Sequence, residues 1–115
     1  MPHIKLEYSL DVDSSLIDKI FDKIKDVLTH NTSIKEKNCK LKAILDSNYE
    51  NINFHYVHLE ISILEGRSPQ IIKLIGESSL KIIKKYFILK NFVNIQYSVE
   101  LREIKKLNYF TTNKI

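Results

Sequence analysis

The order of local patterns constrains the fold of this chain more than any other feature. Residues 4–10 alternate apolar and polar side chains, as a half-buried strand does, and residues 16–28 then place apolar side chains at helical spacing. The same order returns when a strand pattern over residues 54–63 precedes a helical pattern over 69–91. The segments LEYSL and LEISI, each ahead of a helix, also echo one another. We therefore predict two β-α-β halves.

Capping residues set the limits of the two predicted helices. Asp13 and Ser14 are good N-caps for the first helix, which should end near Thr29 or His30. In the segment EGRSPQ, Ser68 is the expected N-cap of the second helix and is followed by a proline at the first helical position. This second helix should end near residue 91.

Residues 39–45 and 93–104 supply the second and fourth predicted strands. The predicted order is β-α-β-β-α-β, in a single domain of residues 1–115. Helices that cross between parallel strands are right-handed almost without exception, so both should lie on one face of the sheet. We predict an α+β fold of two layers, with a four-stranded mixed sheet.

The sheet face without helices carries several acidic side chains. Glu7, Glu60 and Glu100 could act as paired catalytic carboxylates, but cross-strand pairing with Lys5 or Arg102 explains them more simply. This face should either contact water or be buried against other copies of the chain.

Composition argues against several classes of protein. No apolar run approaches the roughly 20 residues that a membrane span needs, and the opening segment lacks the pattern of a signal peptide. We expect a soluble, cytoplasmic chain without a membrane partner. The net charge of +4 comes almost wholly from lysines dispersed among acidic residues. This pattern favours a solvated surface or a small anionic ligand over nucleic acid, so we expect no nucleic-acid partner.

Metal and cofactor chemistry lacks support in the sequence. Cys39 is the single cysteine, which excludes an intramolecular disulfide or a cluster of thiolate ligands within one chain. His3, His55 and His58 lie on predicted strands, but no acid or cysteine stands at convincing ligand spacing. We expect these histidines to be hydrogen-bonded, with no metal and no cofactor bound.

Three segments of the chain resemble the 5-carboxymethyl-2-hydroxymuconate Δ-isomerases, a branch of the tautomerase superfamily that also includes 4-oxalocrotonate tautomerase and macrophage migration inhibitory factor. They are MPHIKLEYS, YVHLEISILEGRS and VELREIKKLNY. The resemblance implies a homotrimeric, cofactor-free isomerase of the intramolecular oxidoreductase class. It also implies a 1,3-keto/enol proton shift on a small anionic unsaturated keto acid, such as 5-carboxymethyl-2-hydroxymuconate, in aromatic catabolism.

The resemblance implies two catalytic residues. Pro2 would be the general base once Met1 is removed, and a free α-amine suits this task because its pKa is about 7.7 to 8.0 in model peptides. Arg67 matches the family's arginine in GRS and would bind a carboxylate or stabilise charge on the enolate oxygen. Taken alone, each residue has a plainer interpretation, as a proline without a role and as a surface arginine beside a turn.

The family's further arginine, on the second strand, has no counterpart in this chain. Lys40 or Lys42 could supply the positive charge for substrate binding, although lysine offers a point charge rather than a fork. Tyr109 is a candidate wall of the substrate pocket. Two solvent-facing lysines are the alternative interpretation, and a non-catalytic binding module with a tautomerase or ferredoxin-like fold is the alternative function.

Overall fold

The computed structural model describes residues 1–51 and 53–112 of the chain. Its long elements are β1 (His3–Tyr8), α1 (Ser14–Asn31), β2 (Lys40–Leu45), β3 (His55–Leu64), α2 (Pro69–Leu89) and β4 (Ile95–Ile104). Two single-turn 3-10 helices, Glu36–Asn38 and Lys106–Asn108, precede β2 and follow β4. The predicted order β-α-β-β-α-β is confirmed.

The ends of the elements follow local chemistry. The Ser68 hydroxyl accepts a hydrogen bond from the backbone N–H of Ile71 at 3.2 Å, which confirms Ser68 as the N-cap of α2. At its other end α2 stops at Leu89, two residues before the predicted limit. Asn91 has φ 64°, and this left-handed backbone cannot continue a helix. Asn94, at φ 57°, likewise delays the start of β4 to Ile95.

The four strands form one mixed sheet in the order β2-β1-β3-β4. β1 is parallel to β2 and β3 is parallel to β4, so each parallel pair is one β-α-β half. The halves meet where β1 and β3 run antiparallel. Among the described helices, none is long and apolar enough to cross a membrane.

Alternation along the two central strands creates the hydrophobic core. The inward side chains of β1 and β3 and the apolar stripes of both helices join in one buried cluster, because the two helices cover the same face of the sheet. The buried apolar residues of these strands are Ile4, Leu6, Val57, Leu59, Ile61 and Ile63, each at most 1% exposed.

Ion pairs cross the strands on the opposite sheet face. Glu60 lies 3.5 Å from the Lys5 ammonium and 3.2 Å from the Arg102 guanidinium, which also lies 3.1 Å from Glu100. Cross-strand pairing is therefore confirmed for Glu60, whereas Glu100 pairs with Arg102 along its own strand, β4. Glu7 differs, since its carboxylate accepts a hydrogen bond from the Tyr56 hydroxyl at 2.7 Å and has no cationic partner among residues 1–51 and 53–112.

Candidate active site

The start of β1 holds Pro2 at one end of the sheet. Pro2 is buried, and its carbonyl oxygen accepts a hydrogen bond from the backbone N–H of Lys40 at 3.0 Å. The next residue, His3, is the register partner of Lys40 in the parallel ladder with β2. Pro2 is thus anchored through its carbonyl. In the structure its nitrogen is joined to Met1 as an amide.

A small cavity of about 30 Å³ brings Pro2 and Arg67 together. Apart from the arginine, its lining is mostly apolar: Met1, Pro2, Ile34, Ile63, Leu64 and Arg67. A charge in such surroundings is less well solvated than in water, so a protonated amine there is disfavoured.

The turn between β3 and α2 holds Arg67 beside this cavity. Gly66 has φ 121°, which side chains with a Cβ rarely adopt, and this turn redirects the chain directly before Arg67. One guanidinium nitrogen of Arg67, Nη1, donates to the carbonyl of Leu64 at 2.8 Å. Because the guanidinium has five N–H groups in all, this bond fixes the side chain and leaves donors for an anion.

Two larger cavities adjoin the small one and share residues with it. The first, about 460 Å³, lies on the Arg67 side and is also lined by Glu65, Ser68 and Lys106. The second, about 570 Å³, lies on the Met1 side and is also lined by Lys40, Lys106 and Tyr109. Leu64 lines all three cavities.

The structure brings most of the sequence-predicted site residues to this end of the sheet. Lys40 and Tyr109 line the second large cavity, and the Tyr109 hydroxyl lies 3.4 Å from Nε2 of His3. Lys42 does not join them. It pairs with Lys5 further along the β1-β2 ladder, and it is absent from the described lining of all three cavities.

Lys106 is the functional candidate that sequence reasoning missed. It lines both large cavities, on the segment that follows β4. The only signal was the Lys105-Lys106 pair within VELREIKKLNY, and nothing in the sequence tells which lysine of the pair faces the site.

The electrostatics of the site favour a neutral amine and an anionic ligand. Burial, followed by the nearby Lys40 ammonium, lowers the pKa of the Met1 α-amine. Burial, followed by the Met1 and Lys40 ammonium groups, lowers the pKa of His3 and so favours its neutral form. Glu65 is the one acidic side chain in the described lining of the three cavities, against the cations Lys40, Arg67 and Lys106.

The strand histidines have hydrogen-bond partners. Nδ1 of His55 lies 3.2 Å from the Ser9 hydroxyl, and Nδ1 of His58 lies 2.6 Å from the Ser98 hydroxyl. Over residues 1–51 and 53–112, the structure contains no group of three or more His, Cys, Asp or Glu side chains placed to hold a metal ion.

Comparison with known proteins shows the family and the fold. A family model described as 5-carboxymethyl-2-hydroxymuconate isomerase matches residues 2–115, whereas no curated protein matches the chain. Among solved structures, a 5-carboxymethyl-2-hydroxymuconate isomerase from Deinococcus radiodurans R1 is similar at TM-score 0.80 and 22% identity, covering 98% of this chain and 90% of that chain.

Two further solved structures share the fold at lower identity. A protein described as inactivated by 2-oxo-3-pentynoate has TM-score 0.78 and 12% identity, covering 98% of this chain and 94% of that chain. A fused wild-type 4-oxalocrotonate tautomerase, described as a symmetric trimer, has TM-score 0.74 and 8% identity with the same coverages, 98% and 94%.

Proposed function

Because the chain belongs to the 5-carboxymethyl-2-hydroxymuconate isomerase family, we propose that it is a cofactor-independent tautomerase of unsaturated keto acids with Pro2 as its base. The observation that carries this proposal is the small cavity lined by both Pro2 and Arg67. A proton acceptor and an anion-binding group are the two elements that a 1,3-keto/enol shift requires. Substrates of this type belong to aromatic catabolism.

The proposed reaction moves one proton and leaves the enzyme unchanged. The neutral nitrogen of Pro2 accepts the proton that leaves the substrate, which becomes a dienolate. The resulting Pro2 ammonium then returns a proton to the substrate carbon that lies two positions from the atom that lost it. Arg67 donates hydrogen bonds to the substrate where negative charge develops, and so stabilises the dienolate.

Removal of Met1 is part of the proposal, because an amide nitrogen has no basic lone pair. The amine exposed at Pro2 would adjoin Ile34, Ile63 and Leu64. Burial and the neighbouring Lys40 ammonium lower the pKa of the Met1 α-amine, and the same causes act on an amine one residue further in. These effects favour the free base of Pro2.

The balance of charge supports an anionic substrate. Three cationic side chains, Lys40, Arg67 and Lys106, line the cavities, and their attraction for a carboxylate is opposed by Glu65 alone among the described lining residues. Low-dielectric surroundings strengthen such attraction relative to water. A small unsaturated keto acid with one or two carboxylates fits this site.

A homotrimer is the assembly that we propose. The fold is shared with a 4-oxalocrotonate tautomerase described as a trimer. The segment after β4 carries two apolar side chains that are almost fully exposed in the single subunit, Leu107 at 86% and Phe110 at 89%. Burying them against a neighbouring copy would be favourable, and it would place an interface beside the cavities.

Intact-mass spectrometry followed by a rate assay tests the proposed function. Protein that has lost Met1 should accelerate the ketonisation of 2-hydroxymuconate, followed by ultraviolet absorbance.

The electrophile 2-oxo-3-pentynoate, which inactivates one structural neighbour, should add across its triple bond to the Pro2 nitrogen, whose proton moves to carbon. Peptide mapping should find this adduct at Pro2. Protein that retains Met1, or that lacks Met1 and is still inactive, would favour a non-catalytic binding module.

A further inference from the structure

We propose that Lys106 binds the remote carboxylate of a dicarboxylate substrate and thereby selects dicarboxylates over monocarboxylates. This inference rests on the proposed function, in which Arg67 binds the substrate end nearest Pro2. Lys106 is the one described cation that lines both large cavities, one shared with Arg67 and the other with Lys40.

Two hydrogen bonds fix the segment of Lys106 relative to Arg67. The backbone N–H of Lys106 donates to a carboxylate oxygen of Glu65 at 2.7 Å. The backbone N–H of Glu65 donates in turn to the carbonyl of Ile104 at 2.9 Å. Glu65 lies two residues before Arg67, so the turn that holds the arginine also holds the lysine. The backbone segments that carry the two cations are therefore held together at one cavity.

The ammonium group of Lys106 is available for a ligand. The Glu65 carboxylate bonds the backbone of Lys106, and no ion pair involves the Lys106 side chain within residues 1–51 and 53–112. The free-energy cost of desolvation is small when an exposed, unpaired lysine binds a carboxylate at a cavity wall. Lys106 thus adds a third cation to Arg67 and Lys40 in a chain that has no counterpart of the family's arginine on β2.

The positions of the other lysines make Lys106 the best candidate for this role. Lys42 lines none of the three cavities in the described structure, and Lys105 is likewise absent from their linings. Lys40 lines one large cavity and interacts with the Met1 α-amine, next to the proposed base. A substrate with its reacting carbons at Pro2 can extend along either large cavity and reach Lys106.

A matched pair of substrates tests the inference. 2-Hydroxymuconate and 2-hydroxypenta-2,4-dienoate share the dienol and differ by one carboxylate. Lys106→Ala should raise KM for the dicarboxylate by about tenfold, which is the usual worth of a hydrogen bond to a charged group, and leave kcat and the monocarboxylate KM nearly unchanged. Lys106→Arg should restore most of the affinity, and Lys105→Ala should match the wild type. Equal effects of Lys106→Ala on the two substrates, or none on either, would overturn the proposal.

Binding measurements keep this test separate from the proposed function. If wild-type protein without Met1 ketonises neither dienol, the proposed function fails. Isothermal titration with the muconate dianion then tests Lys106 directly. Binding that weakens by about tenfold in Lys106→Ala, but not in Lys105→Ala, would support the carboxylate site. Absence of binding, or equal affinity of both variants and the wild type, would contradict it. Thermal unfolding should be the same for all three proteins, because both side chains are exposed.

Discussion

The backbone N–H of Lys40 donates to the carbonyl oxygen of Pro2 at 3.0 Å, and this bond joins the start of β2 to the residue before β1. It places the proposed base and a cation side by side without using the nitrogen of Pro2. Loss of Met1 therefore leaves this anchor intact, and the chemistry of the nitrogen can be varied separately from its position.

An alanine inserted between Met1 and Pro2 should abolish most of the activity. The new chain keeps a free amine after methionine removal, but the nitrogen of Pro2 stays an amide. We expect kcat for 2-hydroxymuconate to fall by about 10² to 10⁴, the usual worth of a general base. Pro2→Ala is the control, because it retains an amine at the original position and should lose less. An inserted variant as active as the wild type would rule out Pro2 as the base.

The pH dependence of kcat/KM should report the pKa of the Pro2 amine. The amine must be neutral to act, so activity should fall as the pH drops through this pKa, which we expect below the 7.7 to 8.0 of free α-amines. Lys40 lowers the pKa of the neighbouring amine. Lys40→Met should therefore move the rising limb of the pH profile of kcat/KM to higher pH. Lys23→Met, on the exposed side of α1, should leave the limb in place. A shift to lower pH in Lys40→Met would contradict the electrostatic argument.

Arg67→Ala should reduce kcat/KM for both the monocarboxylate and the dicarboxylate substrate. The loss of charged hydrogen bonds to the developing dienolate should cost on the order of 10- to 100-fold. The kcat/KM of Arg67→Lys should lie between those of Arg67→Ala and the wild type, because lysine keeps the positive charge but cannot donate two parallel hydrogen bonds as a guanidinium does. Steady-state kinetics measures both. Arg67 also donates to Leu64, so urea unfolding must show that the variants remain folded. Full activity in folded Arg67→Ala would remove Arg67 from the mechanism.

Ser79→Ala should stabilise the protein. Ser79 is completely buried on α2, and its hydroxyl oxygen has no hydrogen-bond partner among the described residues. Removing an unpaired buried hydroxyl should raise the free energy of unfolding by about 1 kcal/mol. The neighbouring Ser78→Ala, at a partly exposed position, is the control for helix propensity alone. Its gain in the free energy of unfolding should be smaller. Urea denaturation at one protein concentration gives both values, and a loss of stability in Ser79→Ala would show that the hydroxyl is satisfied.

Light scattering should give a particle mass three times the 13.5 kDa subunit. Phe110→Asp should shift the particle toward monomers, because it places a charge on a side chain that is 89% exposed in one subunit and buried in the proposed trimer. Lys105→Ala, in the same segment, should leave the mass unchanged. A monomeric wild type would refute the trimer.

The fold could be predicted because its signals are local. Alternation over β1 and β3, the stripes of α1 and α2, and the caps at Asp13 and Ser68 each depend on residues close in sequence. The exact end of α2 was missed because Asn91 adopts a left-handed conformation that asparagine tolerates but does not require.

The site was only partly predictable because it depends on distant contacts. Lys40 and Lys42 share one face of β2, and pairing with β1 puts only Lys40 beside Pro2. The place of Lys106 depends on a hydrogen bond to Glu65, which is 41 positions away in the sequence. No periodic pattern encodes such a bond.

The internal repeat has a consequence for the number of bases that one subunit can possess. Aligning Leu6 with Leu59 puts His55 in the second half where Pro2 stands in the first. β1 and β3 are antiparallel, so these two positions lie at opposite ends of the sheet. A polypeptide has a single α-amine, and the nitrogen of His55 is an internal amide whatever happens to Met1. Duplication of the β-α-β unit could copy the scaffold, but it could not copy an α-amine, so the proposed mechanism allows one catalytic end in each subunit.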